Sequence, residues 1–133
     1  MNNFGKLIEV RSKSFPRESA DEELVNSDTM FGHALAHYIG RRLPEFGMSV
    51  ARYVPEDWGW YCEIENDGFD LWYGVSNTDE DEFVIQIHPE KPAIRRWFKK
   101  VDVSDRTTAL QQAIFTVLSD PSNREIEARW VAR

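Results

Sequence analysis

An Asp67-Gly68 pair stands between two runs of alternating hydrophobicity. Asp-Gly favours a tight two-residue turn, because glycine accepts positive φ without steric cost. A turn placed there pairs Asn66 with Phe69. Ile64 then faces Leu71, Cys62 faces Tyr73, and Trp60 faces Val75. Those six side chains share one face. A slip of one residue would send one strand's apolar set to the other side, so pattern and turn specify the same register. The opposite face carries Tyr61, Glu63, Glu65, Asp70 and Trp72.

The rest of the chain supplies partners for this hairpin. Leu7 to Val10 reads as a short strand and residues 11–28 as a polar loop. A turn of helix is expected at Ala20 to Val25, where Ser19 and Glu22 have capping-box spacing. A helix is expected from Thr29 to Leu43, with Asp28 as its N-cap and Phe31, Ala34, Leu35, Tyr38 and Ile39 as its apolar stripe. Pro44 and Gly47 end it. Met48 to Val54 alternates as a strand, with Met48, Val50 and Val54 on one face and Pro55 as its stop. Phe83 to His88 turns Phe83, Ile85 and Ile87 inward. Residues 91–103 read as a short helix after Pro92 or as a basic edge strand. A second helix starts at Ser104 or Asp105 and runs to Leu118, with Leu110, Ala113, Ile114, Val117 and Leu118 as its stripe. Ile126 to Val131 reads as a last strand. Successive strands joined by short loops make a meander. The expectation is therefore an α+β fold, with an antiparallel sheet of four to five strands packed on one face by two main helices. The 133 residues form a single domain. Residues 1–28 contribute an N-terminal strand and a loosely packed polar loop.

Charge is distributed unevenly. Between Tyr53 and Glu90 there are eleven acidic residues and no Lys or Arg, whereas Lys91, Arg95, Arg96, Lys99 and Lys100 follow at once. The chain's net charge of -7 comes from that one segment, since the remainder is net basic. Such a field governs partners and association rate rather than fold. It repels phosphate, which argues against nucleic acid and for a basic protein as partner. Trp58, Trp60 and Trp72 lie within the acidic stretch, so it is not a disordered acidic tail. A lone cysteine, Cys62, excludes an internal disulfide and suggests a reducing compartment. No apolar run has the length of a membrane span, and the N-terminus lacks the run of a signal peptide. The expectation is a cytoplasmic protein.

The candidate contact face is Tyr61, Glu63, Glu65, Asp70 and Trp72, with the loop Asp79, Glu80, Asp81 and Glu82 beside it. Glu65 across from Asp70 opposes like charges, an arrangement that destabilises a strand pair and suggests use. Aromatic anchors among acids suit a basic partner. Glu56 and Asp57 are adjacent acids in a turn. His33 and His37 have helical metal-ligand spacing but no Glu between them and no third ligand nearby. Asn77, Asp79 and Asp81 open a calcium-loop pattern that fails at Glu82 and His88. Cys62 belongs to the core face, and pairing it with His88 would require opposite faces to meet. Arg95-Arg96-Trp97-Phe98-Lys99-Lys100 reads as a solvated basic helix face or as a phosphate or RNA contact. No catalytic motif, metal set or cofactor signature emerges.

The stretch Pro55-Glu56-Asp57-Trp58-Gly59-Trp60, the Asp-Gly hairpin, and a C-terminal helix ending near Arg129-Trp130 resemble small bacterial proteins of uncharacterised function. Size, acidity and α+β pattern over residues 29–131 also resemble the immunity proteins of toxin–immunity systems, including contact-dependent growth inhibition. That resemblance implies an inhibitor that covers the active site of a cognate toxin, often a basic nuclease. It carries over no individual residue. Three readings stand at this point: a non-enzymatic acidic inhibitor, a small metal-dependent hydrolase using His33, His37 and acids from the hairpin, and an oligomeric module joined through the acidic hairpin and the basic 95–100 segment.

Overall fold

The computed structural model describes residues 6–89, 100–122 and 125–132. Its sheet is antiparallel and has six strands in the order β2-β3-β4-β5-β1-β6. These are β1 (Lys6–Arg11), β2 (Val50–Glu56), β3 (Gly59–Ile64), β4 (Leu71–Asn77), β5 (Glu82–Pro89) and β6 (Glu127–Ala132). Strands β2 to β5 form the expected meander. The count exceeds the expected four to five because the N-terminal strand inserts between β5 and the C-terminal strand, pairing with both. Arg129 and Trp130 lie in β6, not in a helix.

Register follows hydrophobicity. Trp60 faces Val75, Cys62 faces Tyr73 and Ile64 faces Leu71, as the Asp-Gly turn requires. Phe83, Ile85 and Ile87 extend that row on β5, and Ile8 and Val10 extend it on β1, all buried. Two helices, α1 (His33–Arg42) and α2 (Lys100–Leu118), bury Leu35, Ile39, Leu110, Ile114 and Leu118 in the same core.

Several boundaries differ from expectation, each for a physical reason. Helix α1 begins at His33, not near Thr29. Its N-cap is Gly32, which has no capping side chain, and Asp28 plays no part. The cap comes from Asp21, whose Oδ1 accepts the backbone N–H of Gly32 at 2.9 Å and of His33 at 3.0 Å. The capping box sits one residue earlier than expected, at Glu18 and Asp21, and opens a 3-10 turn over Ser19–Glu23. Within residues 12–28, Ser12, Phe15, Asp21 and Leu24 are buried and the rest are exposed or half-buried. Pro55 does not stop β2. A proline lacks the ladder N–H, but β2 is an edge strand and tolerates it there. A bulge between Val50 and Arg52 adds Ala51 to β2. Past it, Tyr53 turns inward opposite Cys62, and Val54 turns outward opposite Tyr61. Helix α2 includes Lys100, four residues ahead of Ser104. The alternative readings of 91–103 fall largely on residues 90–99, outside the described residues.

Two buried polar bonds fix α1 on the sheet. Trp60 donates its indole N–H to Asp21 Oδ1 at 2.8 Å, and the Tyr73 hydroxyl donates to the carbonyl of Ala36 at 2.7 Å. Gly40 permits close approach, since a Cβ there would sit 2.0 Å from the Tyr53 hydroxyl oxygen. Arg42 then ties α1 to the end of α2 by pairing with Asp120 at 2.8 Å and with both oxygens of Glu45.

Candidate functional site

The outer face of β2–β4 is built around a missing side chain. Gly74 on β4 faces Tyr61 on β3, and a Cβ at Gly74 would lie 2.7 Å from Trp58 Cη2 and 3.0 Å from Trp72 Cζ3. The indole of Trp58 therefore lies directly over bare backbone. It is sent there by the β2–β3 turn. Gly59 has φ +146, and a Cβ there would sit 2.2 Å from the carbonyl oxygen of Val75, so only glycine fits. The Pro-Glu-Asp-Trp-Gly-Trp stretch thus splits its two tryptophans between faces, with Trp58 outward and Trp60 in the core.

Among the described residues three rings meet on that face. Trp58 and Trp72 have centroids 5.9 Å apart, and Tyr61 stacks on Trp72 at 4.8 Å with planes 25° apart. All three are half-buried. Glu63 lies directly across from Trp72 and pairs with Arg52, its neighbour on β2, at 2.8 Å. The structure thus brings Tyr61, Glu63 and Trp72 together, adds Trp58, and neutralises Glu63.

The acidic loops flank this cluster from opposite ends. Paired strands stop at Ile64 and Leu71, so Glu65 and Asp70 lie beyond the ladder, both exposed. Their like charges do not face each other within the sheet, contrary to expectation. Glu65 N–H donates instead to Ser49 O at 2.8 Å. Asn66 closes the loop by donating to the carbonyl of Phe69, and Arg106 of α2 donates to Asn66 Oδ1. Asp79, Glu80, Asp81 and Glu82 sit at the far end of β4, which spans roughly 20 Å. That loop is not beside Glu65 and Asp70. It is pinned by Ser12 N–H donating to Asp81 O at 2.9 Å and by Arg11 pairing with Glu82 at 2.6 Å. Asn77 is occupied structurally, accepting from Phe31 N–H and donating to Thr29 O.

The histidines form a second cluster. His33 and His37 stack with centroids 5.6 Å apart, His33 sits edge-on to Trp60, and His33 Nδ1 lies 2.8 Å from Glu18 Oε1. Tyr53 packs beside both rings. Desolvation, then Arg41 and His33, hold the His37 imidazole below its ordinary pKa. No group of three or more His, Cys, Asp or Glu among the described residues is arranged to hold a metal ion. Burial pushes the Cys62 thiol well up, which makes it a poor nucleophile. The register sets His88 across from Trp72, in the row opposite to that of Cys62.

Sequence reasoning missed Asp21, Glu18 and Trp58. The glycines at 59 and 74 were the available signal for Trp58: one re-aims the chain, the other clears a space. Asp21 has one local partner, Glu18 three residues before it, but its helix-capping and core partners are eleven, twelve and thirty-nine residues away and leave no local trace. No helix among the described residues is long and apolar enough to cross a membrane. Compared with family models, curated proteins and solved structures, the chain finds no match.

Proposed function

We propose that this is a non-enzymatic binding protein whose contact surface is the outer face of β2–β4 and whose partner is a protein surface rich in Lys and Arg. The supporting observation is the placement of Trp58 across Gly74 against Trp72, with Tyr61 stacked on the same ring. Half-buried rings on the face away from both helices are the residue types that anchor interfaces. Guanidinium and ammonium groups bind favourably over such rings. With Glu63 neutralised by Arg52, attraction comes from the flanking loops, Glu65, Asp67 and Asp70 at one end and Asp57, Asp79 and Glu80 at the other. An inhibitor of the immunity type, laid over the basic cleft of a toxin nuclease, is the concrete form of this reading.

The test begins with capture of a partner at low salt, followed by kinetics with the purified pair. Trp58→Ala and Trp72→Ala each cost about 2–4 kcal/mol of affinity, mainly through dissociation. Asp79→Lys with Glu80→Lys slows association, and added salt masks the difference. A partner held equally tightly by folded Trp58→Ala and Trp72→Ala variants would eliminate this surface.

A further inference from the structure

The two edges of the sheet are built differently. Edge strand β2 carries Pro55 and a bulge at Ala51, both of which disrupt pairing with another strand. Edge strand β6 has neither. It pairs with β1 residue for residue, from Lys6 opposite Ala132 to Arg11 opposite Glu127. Among the described residues β1 is its one neighbour, so alternate residues direct backbone N–H and C=O groups to an open edge.

Its side chains are complementary to themselves. Glu127 and Arg129 lie two apart on the outer face, and Ile126, the residue just ahead of the strand, is half-buried against the core with Ala128 and Trp130 on the inner face. From this pattern we infer that β6 is a self-association edge, on which a second copy of the chain pairs antiparallel about Ala128. That register sets Glu127 across from Arg129 of the second copy, and Arg129 across from Glu127 of the second copy. On the inner face it sets Ile126 across from Trp130, Ala128 across from its own copy, and Trp130 across from Ile126. Both faces are satisfied at once, charge with charge and apolar with apolar. A register centred on Arg129 would confront two guanidinium groups, and one centred on Trp130 would leave Arg129 facing Val131.

The groups involved are already in position. Arg129 holds Glu9 through Nε at 3.0 Å and Nη2 at 2.7 Å, which leaves Nη1 for Glu127 of the second copy. Trp130 is held by Phe115 of α2, stacked at 5.4 Å with planes 18° apart. The contact is isologous, as a two-fold dimer requires. It lies at the edge remote from Trp58 and Tyr61, so it is independent of the binding face and gives the dimer two such faces on one side of a continuous sheet.

Sedimentation equilibrium of the full chain tests this, with circular dichroism to check the fold of each variant. The wild type gives a monomer–dimer equilibrium. Glu127→Lys and Arg129→Glu each place like charges across both outer pairs and weaken the dimer at least about tenfold. An equimolar mixture of the two variants puts opposite charges back across both pairs and regains a heterodimer. A wild-type chain that stays monomeric up to about 1 mM overturns the inference. So does a dimer that neither variant weakens, or a mixture that does not recover.

Discussion

Trp60 and Asp21, thirty-nine residues apart in the chain, are joined by a 2.8 Å hydrogen bond within the core. The same carboxylate oxygen caps α1 through Gly32 and His33, and the other oxygen accepts the N–H of Glu18 at 2.9 Å. One buried acid thus locks the N-terminal loop, the first helix and the central sheet.

Asp21→Ala leaves several donors without an acceptor, at about 1–3 kcal/mol for each one that stays buried. The expected loss is about 3–5 kcal/mol, read as a lower urea midpoint. Asp21→Asn keeps an acceptor oxygen but turns an amide toward the Glu18 N–H, and loses less. Equal midpoints for wild type and Asp21→Ala would show that the loop contributes nothing to stability.

Gly40→Ala pits two effects against each other. Alanine favours the helix by about 1 kcal/mol. Its Cβ would overlap the Tyr53 hydroxyl oxygen at 2.0 Å and crowd Val50 Cγ2 at 3.1 Å, and overpacking costs about 1–3 kcal/mol. The net is destabilising, and adding Tyr53→Phe recovers part of it by removing the closest atom. Thermal melts of the single and double variants measure both effects.

Gly74→Ala acts on the opposite face. The new methyl takes the space under Trp58, whose ring carbons lie 2.7 and 2.8 Å from it. The indole must lift from the sheet, so its emission shifts to the red while far-ultraviolet circular dichroism stays unchanged. In a Trp58→Phe background the shift is smaller, and what remains comes from Trp72, whose Cζ3 lies 3.0 Å from the same methyl.

His37 predicts a shallow acid dependence. Desolvation, Arg41 and the stacked His33 lower its pKa from 6.5, opposed by Glu18. The folded state therefore binds this proton less readily than the unfolded chain does. Its contribution is complete above the unfolded value of 6.5 and is lost as pH falls through that value toward the lower folded one. Exposure keeps the effect small. Urea midpoints taken between about pH 7 and 5 should fall less steeply for His37→Gln than for the wild type.

The hairpin was legible because its information is local. Period-two alternation and one Asp-Gly pair gave the pairing of Trp60, Cys62 and Ile64 with Val75, Tyr73 and Leu71, and placed Tyr61, Glu63 and Trp72 on the outer face. The stripe of α2 was equally plain, and Leu110, Ala113, Ile114, Val117 and Leu118 are all buried. What failed was what depends on distant neighbours. Asp28 looked like a cap because caps are usually adjacent, whereas Asp21 caps α1 across a loop. Pro55 looked like a stop because a sequence does not announce which strand will be an edge. The acidic residues read as one patch because they are close in the chain, but β4 carries the Asp79–Glu82 loop away from Glu65 and Asp70.

Pro55 and the Ala51 bulge have a consequence for solubility. A sheet that can add strands at both edges can grow without end, in the manner of a fibre. With β2 blocked, β6 is the one receptive edge among the described residues, and assembly through it uses that edge up in the first encounter. Growth halts at a closed pair, so an edge that serves as a dimer contact does not become a seed for aggregation.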